Sequence, residues 1–588
     1  MRYWKETATP RVEEIHRALY SKEAKGIYAR DIEQYFNRRG FRTFAFKGTW
    51  DDLAEQVSKG RPLIVCLERN ARGVPLHYVV VAGIDRDEDL AWINDPAQRK
   101  LLAMRRAEFE SAWSATGNWV LLAVPEEVSV APHASPPTAA IIDPSELELA
   151  TTAFRAENFT ETEHHLKSVL RGNPVDPFAN DFLGTTYLLD GNFAAALKYW
   201  NRAGKPKVRE IRIEPPLQID PVLLDHAFAF SRASVLSSKD YRITRQKLDS
   251  LGIFGRYEFD LAPTDSEDFD LTFRASERNG SNFLSWLGGL PFQTVYPQLW
   301  NAGGRAINLE SLVRWDNDKR RVFVLFSSPL RENPSLGYRF QFDMRNENWE
   351  RADDMFNLRR SDLAAEIRGI LSDRWSWTNG IAVTHRTFSN SFNGGSSLSY
   401  KASLHRTVLS IPEKRLTIES SARTQVGKLF MRPAERFLKV ESDLTTRWFL
   451  LPRRDDYDSD VRLSVAKSFG RVPFDELYSL GLDRDSDRRL RGHPTTRFGR
   501  KGAGPIGPDY FLLNYDFSKM FYDNTFVRIK CGPFLDAGHI SSQTSWLVDS
   551  GIQVKVSIFK ALTLSLSVGR DLRNGRNTVF MDSGREGY

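Results

Sequence analysis

From Pro291 to the C-terminus the chain breaks into about sixteen stretches of strand length, separated by polar turns rich in Gly and Asp and nearly free of long helical periodicity. In the clearest stretch Ile552, Val554, Val556 and Ile558 alternate with Gln553, Lys555 and Ser557; in the next, Leu562, Leu564, Leu566 and Val568 alternate with Thr563, Ser565 and Ser567. Similar alternation runs through Ile307 to Trp315, Tyr338 to Met344, Leu416 to Ala422 and Val461 to Phe469. One face of each strand is apolar and the other polar, as a wall between lipid and water requires once every backbone group is paired within a closed sheet. The same alternation also suits a soluble sandwich, so pattern alone leaves both architectures open.

Composition bounds the rest. A chain of 588 residues calls for several domains. No run of about eighteen apolar residues is present to make a spanning helix, which excludes a helical membrane protein but not a barrel. The formal charge of +7 comes with nearly as many acidic as basic residues and with no basic run or aromatic RNA-binding signature, so no nucleic-acid partner is expected. The two cysteines, Cys66 and Cys531, are far apart, and a disulfide framework is not expected. Nothing calls for a metal or another cofactor.

Two short motifs separate barrel from sandwich. Leu490, Arg491, Gly492 and His493 sit in a long polar loop reaching about Pro508, and Phe534, Leu535, Asp536, Ala537 and Gly538 close a late strand. These resemble the loop and strand motifs of the BamA family of outer-membrane assembly and translocation barrels. The resemblance implies a 16-stranded transmembrane antiparallel β-barrel over residues 281–588, with the loop folded into the lumen and Arg491 paired to Asp536. A forked guanidinium donor on a carboxylate is a suitable anchor for such a loop. His493 stands where the family usually has an aromatic residue, which leaves the packing of the loop tip open.

Ahead of the barrel, residues 206–280 read as a small α+β unit. Ser238, Lys239, Asp240 and Tyr241 open a helix through Leu251, Gly252 ends it, and strands follow from Ile253 to Leu261 and from Phe269 to Ala275. Leu248, Leu251 to Phe254, and Glu277 to Gly280 resemble a POTRA domain. Residues 143–205 form a helical repeat pair, since Asn158 and Phe159 recur 34 residues later as Asn192 and Phe193, the tetratricopeptide period. A peptide-binding groove and a rigid spacer are both open readings of that pair.

Residues 1–126 form a separate α+β unit bounded by a linker at 127–142 that is rich in Pro, Ala and Ser. The order Leu63 to Leu67, then His77 to Val81, then Ile93, Asn94, Asp95 and Pro96 resembles the papain-like peptidase domain of bacteriocin-processing exporters. The resemblance implies His77 as base and Asp95 as its orienting partner. The family's nucleophilic Cys has no counterpart: Tyr3 and Trp4 look like the end of the helix that should carry it. Cys66 lies within an apolar strand, where cysteine is usually an inert small hydrophobe. As given, the chain should not hydrolyse peptides. The N-terminus also lacks an apolar signal segment. One assumption accounts for both: the chain is cut short by a misplaced start codon, with an export signal and perhaps a Cys upstream.

The expectation is therefore a multidomain protein of the bacterial outer membrane, its N-terminal domains in the periplasm. It would assemble or translocate client polypeptides, with outer-membrane lipid and periplasmic accessory proteins as further partners. A membrane-tethered cysteine peptidase, if an upstream Cys exists, and a passive outer-membrane pore are the alternatives.

Overall fold

A computed structural model describes residues 12–21, 26–68, 76–86, 88–96, 101–125, 144–264, 268–281, 286–351, 354–390, 392, 394–430, 435–451, 456–524, 527–558 and 562–584. The readings placed on Tyr3, Trp4 and the linker at 127–142 fall outside these residues. The chain divides into two units, one of residues 1–141 with 224–232, the other of residues 142–223 with 233–588.

The first unit has helices α1 (Val12–Leu19), α2 (Ala29–Asn37), α3 (Trp50–Ser58) and α4 (Arg106–Ser114). Its strands are β1 (Phe41–Lys47), β2 (Leu63–Leu67), β3 (His77–Asp85), β4 (Leu90–Asn94), β5 (Leu101–Arg105) and β6 (Trp119–Pro125), in the sheet order β1-β6-β2-β3-β4-β5. The apolar residues of β2 and β3, Leu63, Val65, Val79 and Val81, meet Trp50 and Leu53 of α3 and Phe109 and Trp113 of α4 in one core. α3 starts at Thr49 because the Thr49 side chain accepts the Asp52 N–H while the Asp52 carboxylate accepts the Thr49 N–H, which satisfies two donors that a helix start leaves open. Residues 224–232, which the sequence places within the 206–280 unit, cluster here instead. Leu224, Phe228 and Phe230 are buried, and the Asp225 carboxylate accepts the Ala103 N–H of edge strand β5 at 3.2 Å.

The second unit opens with two helical hairpins, α5 (Pro144–Arg155) with α6 (Phe159–Gly172) and α7 (Pro177–Leu189) with α8 (Phe193–Trp200). Asn158 and Asn192, the repeated positions, cap α6 and α8 through their side-chain oxygens. Next come β7 (Val208–Glu214), α9 (Pro221–Ala227), whose residues from Leu224 onward belong to the first unit, then α10 (Ser238–Leu251), β8 (Phe254–Pro263) and β9 (Phe269–Glu277). β9 lies between antiparallel β8 and parallel β7. β7 and α9 went unread in the sequence, because Val208 to Glu214 carries four charges in seven residues and α9 is a single short helix.

The remaining strands form one sheet of eighteen segments. Two of them, Thr496–Arg497 and Arg500–Lys501, are a hairpin inside an inserted loop. The other sixteen make the wall: β10 (Thr294–Val295), β11 (Gln298–Ala302), β12 (Ile307–Trp315), β13 (Lys319–Leu330), β14 (Asn333–Arg351), β15 (Asp354–Ser372), β16 (Trp375–Phe388), β17 (Gly395–Ile411), β18 (Leu416–Leu429), β19 (Glu435–Phe449), β20 (Tyr457–Gly470), β21 (Tyr510–Asp523), β22 (Val527–Ile540), β23 (Leu547–Ile558), β24 (Leu562–Asp571) and β25 (Asn577–Gly584). β10 and β11 are two pieces of one interrupted edge, both paired to β12.

The wall is polar inside and apolar outside. Along β16, Ile381 and Val383 are exposed while Thr384 and Arg386 are buried; along β17, Leu398 and Tyr400 are exposed while Ser397 and Ser399 are buried. A soluble sandwich buries the opposite set, so this alternation answers the question the sequence left open in favour of a lipid-facing wall. Among the described residues no helix is long and apolar enough to cross a membrane, which says nothing of crossing by strands.

The wall is also rolled. Arg314 on β12 donates to Asp485 of the inserted loop at 2.8 Å, and Thr578 on β25 donates to the carbonyl of Gly492 in the same loop at 2.9 Å. The stretch from Asp485 to Gly492 reaches at most about 25 Å even when extended. Laid flat, the strands from β12 to β25 would stand roughly 60 Å apart. A single short segment touches both only because the sheet curves around it.

Candidate functional site: the loop in the lumen

The loop between β20 and β21, residues 471–509, lies on the polar face and is held there largely by charge. At its start Asp475 and Glu476 meet Arg360 of β15 at 2.9 and 3.1 Å, and Asp475 meets Arg386 of β16 at 3.0 Å. Phe474 beside them stacks on Phe392 and meets Trp349 and Phe356 edge-on. Further along, Asp485 is shared by Arg314 and Arg321 of β12 and β13, Asp483 takes Lys319 at 2.9 Å, and Asp487 takes Arg462 of β20 at 2.9 Å. The loop is thus acidic where it meets a basic stretch of wall. The sequence held the signal in the alternating acids Asp483, Asp485 and Asp487, and in arginines at the inward positions of several strands. It went unread because each residue alone looks like a solvated charge.

The tip is Arg491, Gly492 and His493. Nε and Nη2 of Arg491 donate to the two oxygens of Asp536 at 2.9 and 2.6 Å, and the Arg491 backbone N–H adds a third bond to Asp536 at 2.9 Å. Asn514 donates to the same carboxylate at 2.7 Å, Asp516 pairs with the remaining nitrogen of Arg491, and the guanidinium lies 3.8 Å from the centre of the Phe534 ring. Arg491 and Asp536 are both almost wholly buried. Gly492 donates its N–H to Asp549 at 2.6 Å, and a Cβ there would sit 2.6 Å from the Asp549 carboxylate, so only glycine admits the approach. His493 lies between Asp549 and Asp571, at 3.0 and 3.4 Å. Behind the tip, Leu490 joins Tyr478, Leu480, Tyr510, Leu512, Ile540 and Leu547 in a small apolar core within the lumen.

At the short-turn end, the helices ahead of the wall meet the strands. Arg242 of α10 holds Asp373 at 2.6 Å, Ser250 donates to the Pro334 carbonyl at 2.6 Å, and Tyr199 of α8 donates to Glu413 at 3.0 Å. Although burial favours protonation of Glu413, Lys198 and Tyr199 together hold its carboxyl below the usual range. Between α10 and the strand ends lies a cavity of about 800 Å³, and Arg242, Arg245, Arg368, Arg374 and Arg447 are among its lining residues.

In the first unit, His77 opens β3 and Asp95 follows β4, and the pairing of these strands brings His77 Nε2 to 2.6 Å from Asp95 Oδ1. Asp95 is buried and His77 about a quarter exposed. Cys66 cannot serve this pair. It is opposite Tyr78 in the β2–β3 register, so its side chain leaves the sheet on the Tyr78 face, whereas His77 shares its face with Leu67. Burial also pushes the Cys66 thiol up, which disfavours the thiolate. Cys66 and Cys531 are both free thiols.

No curated protein sequence matches the chain. Among solved structures, BamA from Haemophilus ducreyi lacking POTRA domains 1–3 is 12% identical, with 65% of this chain and 85% of that one covered and a TM-score of 0.39. CdiB from Escherichia coli is 13% identical, with 64% and 76% covered and a TM-score of 0.45. The peptidase domain of Streptococcus ComA, a bifunctional ABC transporter involved in quorum sensing, is 21% identical over 20% of this chain and 82% of that domain, with a TM-score of 0.18. Residues 3–120 match the Peptidase_C39 like family. The chain is therefore similar to that family at its N-terminal end and to the BamA and CdiB barrels in its C-terminal sheet.

Proposed function

We propose that the protein is an outer-membrane barrel that assembles or translocates client polypeptides, and that its peptidase-like unit binds client peptide without cutting it. The observation that carries this reading is the loop of residues 471–509, seated across the lumen by Arg491 on Asp536 and by acidic residues on wall arginines. A seat made of ion pairs beside a wet lumen specifies one position while adding little net stability, because desolvation offsets much of the attraction. Such a plug can be displaced by a client, which a covalent or fully apolar plug cannot. The units ahead of the wall are read as a POTRA domain, residues 206–280, and a tetratricopeptide pair, residues 143–205. The three-stranded sheet with β8 at its edge and the two capped hairpins support that reading.

The test is quantitative proteomics of the outer membrane and the culture medium in a strain lacking the gene. Specific surface or secreted proteins should be depleted, restored by the wild-type gene and not by Arg491→Ala. An unchanged proteome together with altered conductance in planar bilayers would leave a passive pore instead.

The His77–Asp95 contact favours a second reading, a membrane-tethered cysteine peptidase, which requires a nucleophilic Cys upstream of Met1. Under it, His77→Ala abolishes cleavage of leader peptides by native membranes. Under the first reading there is no such cleavage to lose.

A further inference from the structure

The inward face of β22, β23 and β24 carries three carboxylates in one row: Asp536 stands opposite Asp549, and Asp549 opposite Asp571. All three are almost fully buried. Like charges directly opposed on neighbouring strands repel, with Cβ atoms only about 5 Å apart. Arg491 neutralises the first. The other two share His493, a single imidazole facing two carboxylates.

The details of that pair are those of a ligand set. Oδ2 of Asp549 accepts the Gly492 N–H and pairs with His493 Nδ1 at 3.1 Å, while Oδ1, 3.0 Å from the same nitrogen, is buried and makes no hydrogen bond of its own. Asp571 is oriented from behind by the backbone N–H of Arg573 at 2.9 Å and the side-chain amide of Asn574 at 2.7 Å, the kind of support that fixes a metal ligand. One donor atom from each of His493, Asp549 and Asp571 falls within 4.8 Å of the others. In a tetrahedral zinc site, bonds of about 2.0–2.2 Å place neighbouring ligand atoms roughly 3.3 Å apart. Asp549 lies 3.0 Å from Nδ1 of His493 and Asp571 3.4 Å from Nε2, so each carboxylate stands near that spacing from one ring nitrogen. A metal takes one ring nitrogen, and the third ligand closes by side-chain rotation. His493, 17% exposed on its side chain, leaves a path from the lumen.

We propose that His493, Asp549 and Asp571 bind a divalent first-row transition metal ion that staples the loop tip to β23 and β24. Imidazole with two carboxylates suits zinc and its neighbours, and two carboxylates around a neutral imidazole balance the charge of the ion. The site stands on the geometry of the lumen and is independent of whether the protein handles clients.

The test uses untagged full-length protein in detergent micelles, stripped with EDTA and titrated with Zn²⁺ against a chromophoric chelator, together with zinc-edge absorption spectroscopy of the loaded protein. One zinc per chain is expected, with one imidazole and oxygen ligands at about 2.0–2.2 Å. His493→Gln and Asp571→Asn should each lose it. Zinc should slow tryptic cleavage within residues 471–509 at least tenfold in the wild type and leave His493→Gln unchanged. Absence of stoichiometric zinc in the wild type, or equal binding by His493→Gln, overturns the proposal. Should both variants misfold, the wild-type spectrum decides, since zero imidazoles or more than one is incompatible with this site.

Discussion

In β2 and β3 the residues turned inward are Leu63, Val65, Val79 and Val81; in β16 and β17 they are Thr384, Arg386, Ser397 and Ser399. Both sheets are antiparallel and both alternate with a period of two, yet one buries its apolar set and the other exposes it. The difference lies in what each sheet faces. α3 and α4 cover the apolar face in the first unit, whereas the rolled wall encloses a charged loop and leaves its apolar face to lipid. Period fixes which residues share a face; only the neighbour determines which face is buried.

The largest effect should come from inside the rolled wall. Arg491→Ala leaves Asp536 buried without its cation, which typically costs about 3–5 kcal/mol. The loop should then leave its seat, read as trypsin cleavage within residues 471–509 under conditions where the wild type resists. Continued resistance would mean that the acidic contacts at Asp475 and Asp485 hold the loop without its tip.

The contrast between outer faces comes next. Ile381 on β16 and Phe44 on β1 are both exposed, at 57% and 44%. Ile381→Arg should cost about 2–4 kcal/mol if its neighbour is lipid near the bilayer midplane. Phe44→Arg should change stability by no more than about 0.5 kcal/mol, because its neighbour is water. The first is measured as urea-dependent folding into lipid vesicles, the second as the urea midpoint for protease resistance of the first unit. Equal costs would erase the distinction between the two sheets.

Much of this was legible in advance. Alternation in Ile552 to Ile558 and Leu562 to Val568 located β23 and β24 closely, and the order of His77 and Asp95 in strand-turn segments placed two side chains that the fold brings to 2.6 Å. Arg491 and Asp536 could be paired only through a motif, since no local rule links residues 45 positions apart. The pairing of wall arginines with loop carboxylates stayed hidden for a related reason. Arg360, Arg386 and Arg462 find Asp475 and Asp487 through the curvature of the sheet, and curvature leaves no trace in a period of two. Residues 224–232, read within 206–280, cluster with the first unit, and their apolar side chains, Leu224, Phe228 and Phe230 set among Asp225 and His226, could have been covered by either unit.

The buried thiol offers a smaller test within the first sheet. Burial raises the pKa of Cys66 above its ordinary 9.0, so the folded state favours the neutral thiol. That contribution to stability is complete below about pH 9 and is lost as pH rises through the higher folded value. At pH 8, iodoacetamide followed by peptide mass spectrometry should label Cys66 far more slowly in native protein than in urea. Labelling at the same rate in both would place the thiol on an accessible face and reopen its relation to His77.

The smallest expected effect is at the start of α3, where the first unit spends a polar pair to position Trp50 and Leu53 against the sheet. Thr49 and Asp52 exchange side-chain and backbone hydrogen bonds, and those from Thr49 hold the Asp52 carboxyl below its ordinary 3.8. A depressed folded value means that the carboxylate contributes stability above about pH 4, and that this is lost as pH falls through the folded value. Thr49→Ala should therefore cost about 1 kcal/mol near pH 7, the usual worth of such a cap. The difference between variant and wild type should shrink once the acid is protonated, near pH 2, as measured by urea midpoints for protease resistance with an acid-active protease at low pH. A cost that stays constant from pH 7 to pH 2 would assign it to the Thr49 hydroxyl alone. A cost that vanishes would assign it to the charged bond from Asp52, and the helix that closes the apolar face of the first sheet would then be secured by a charge, as the loop of the second is.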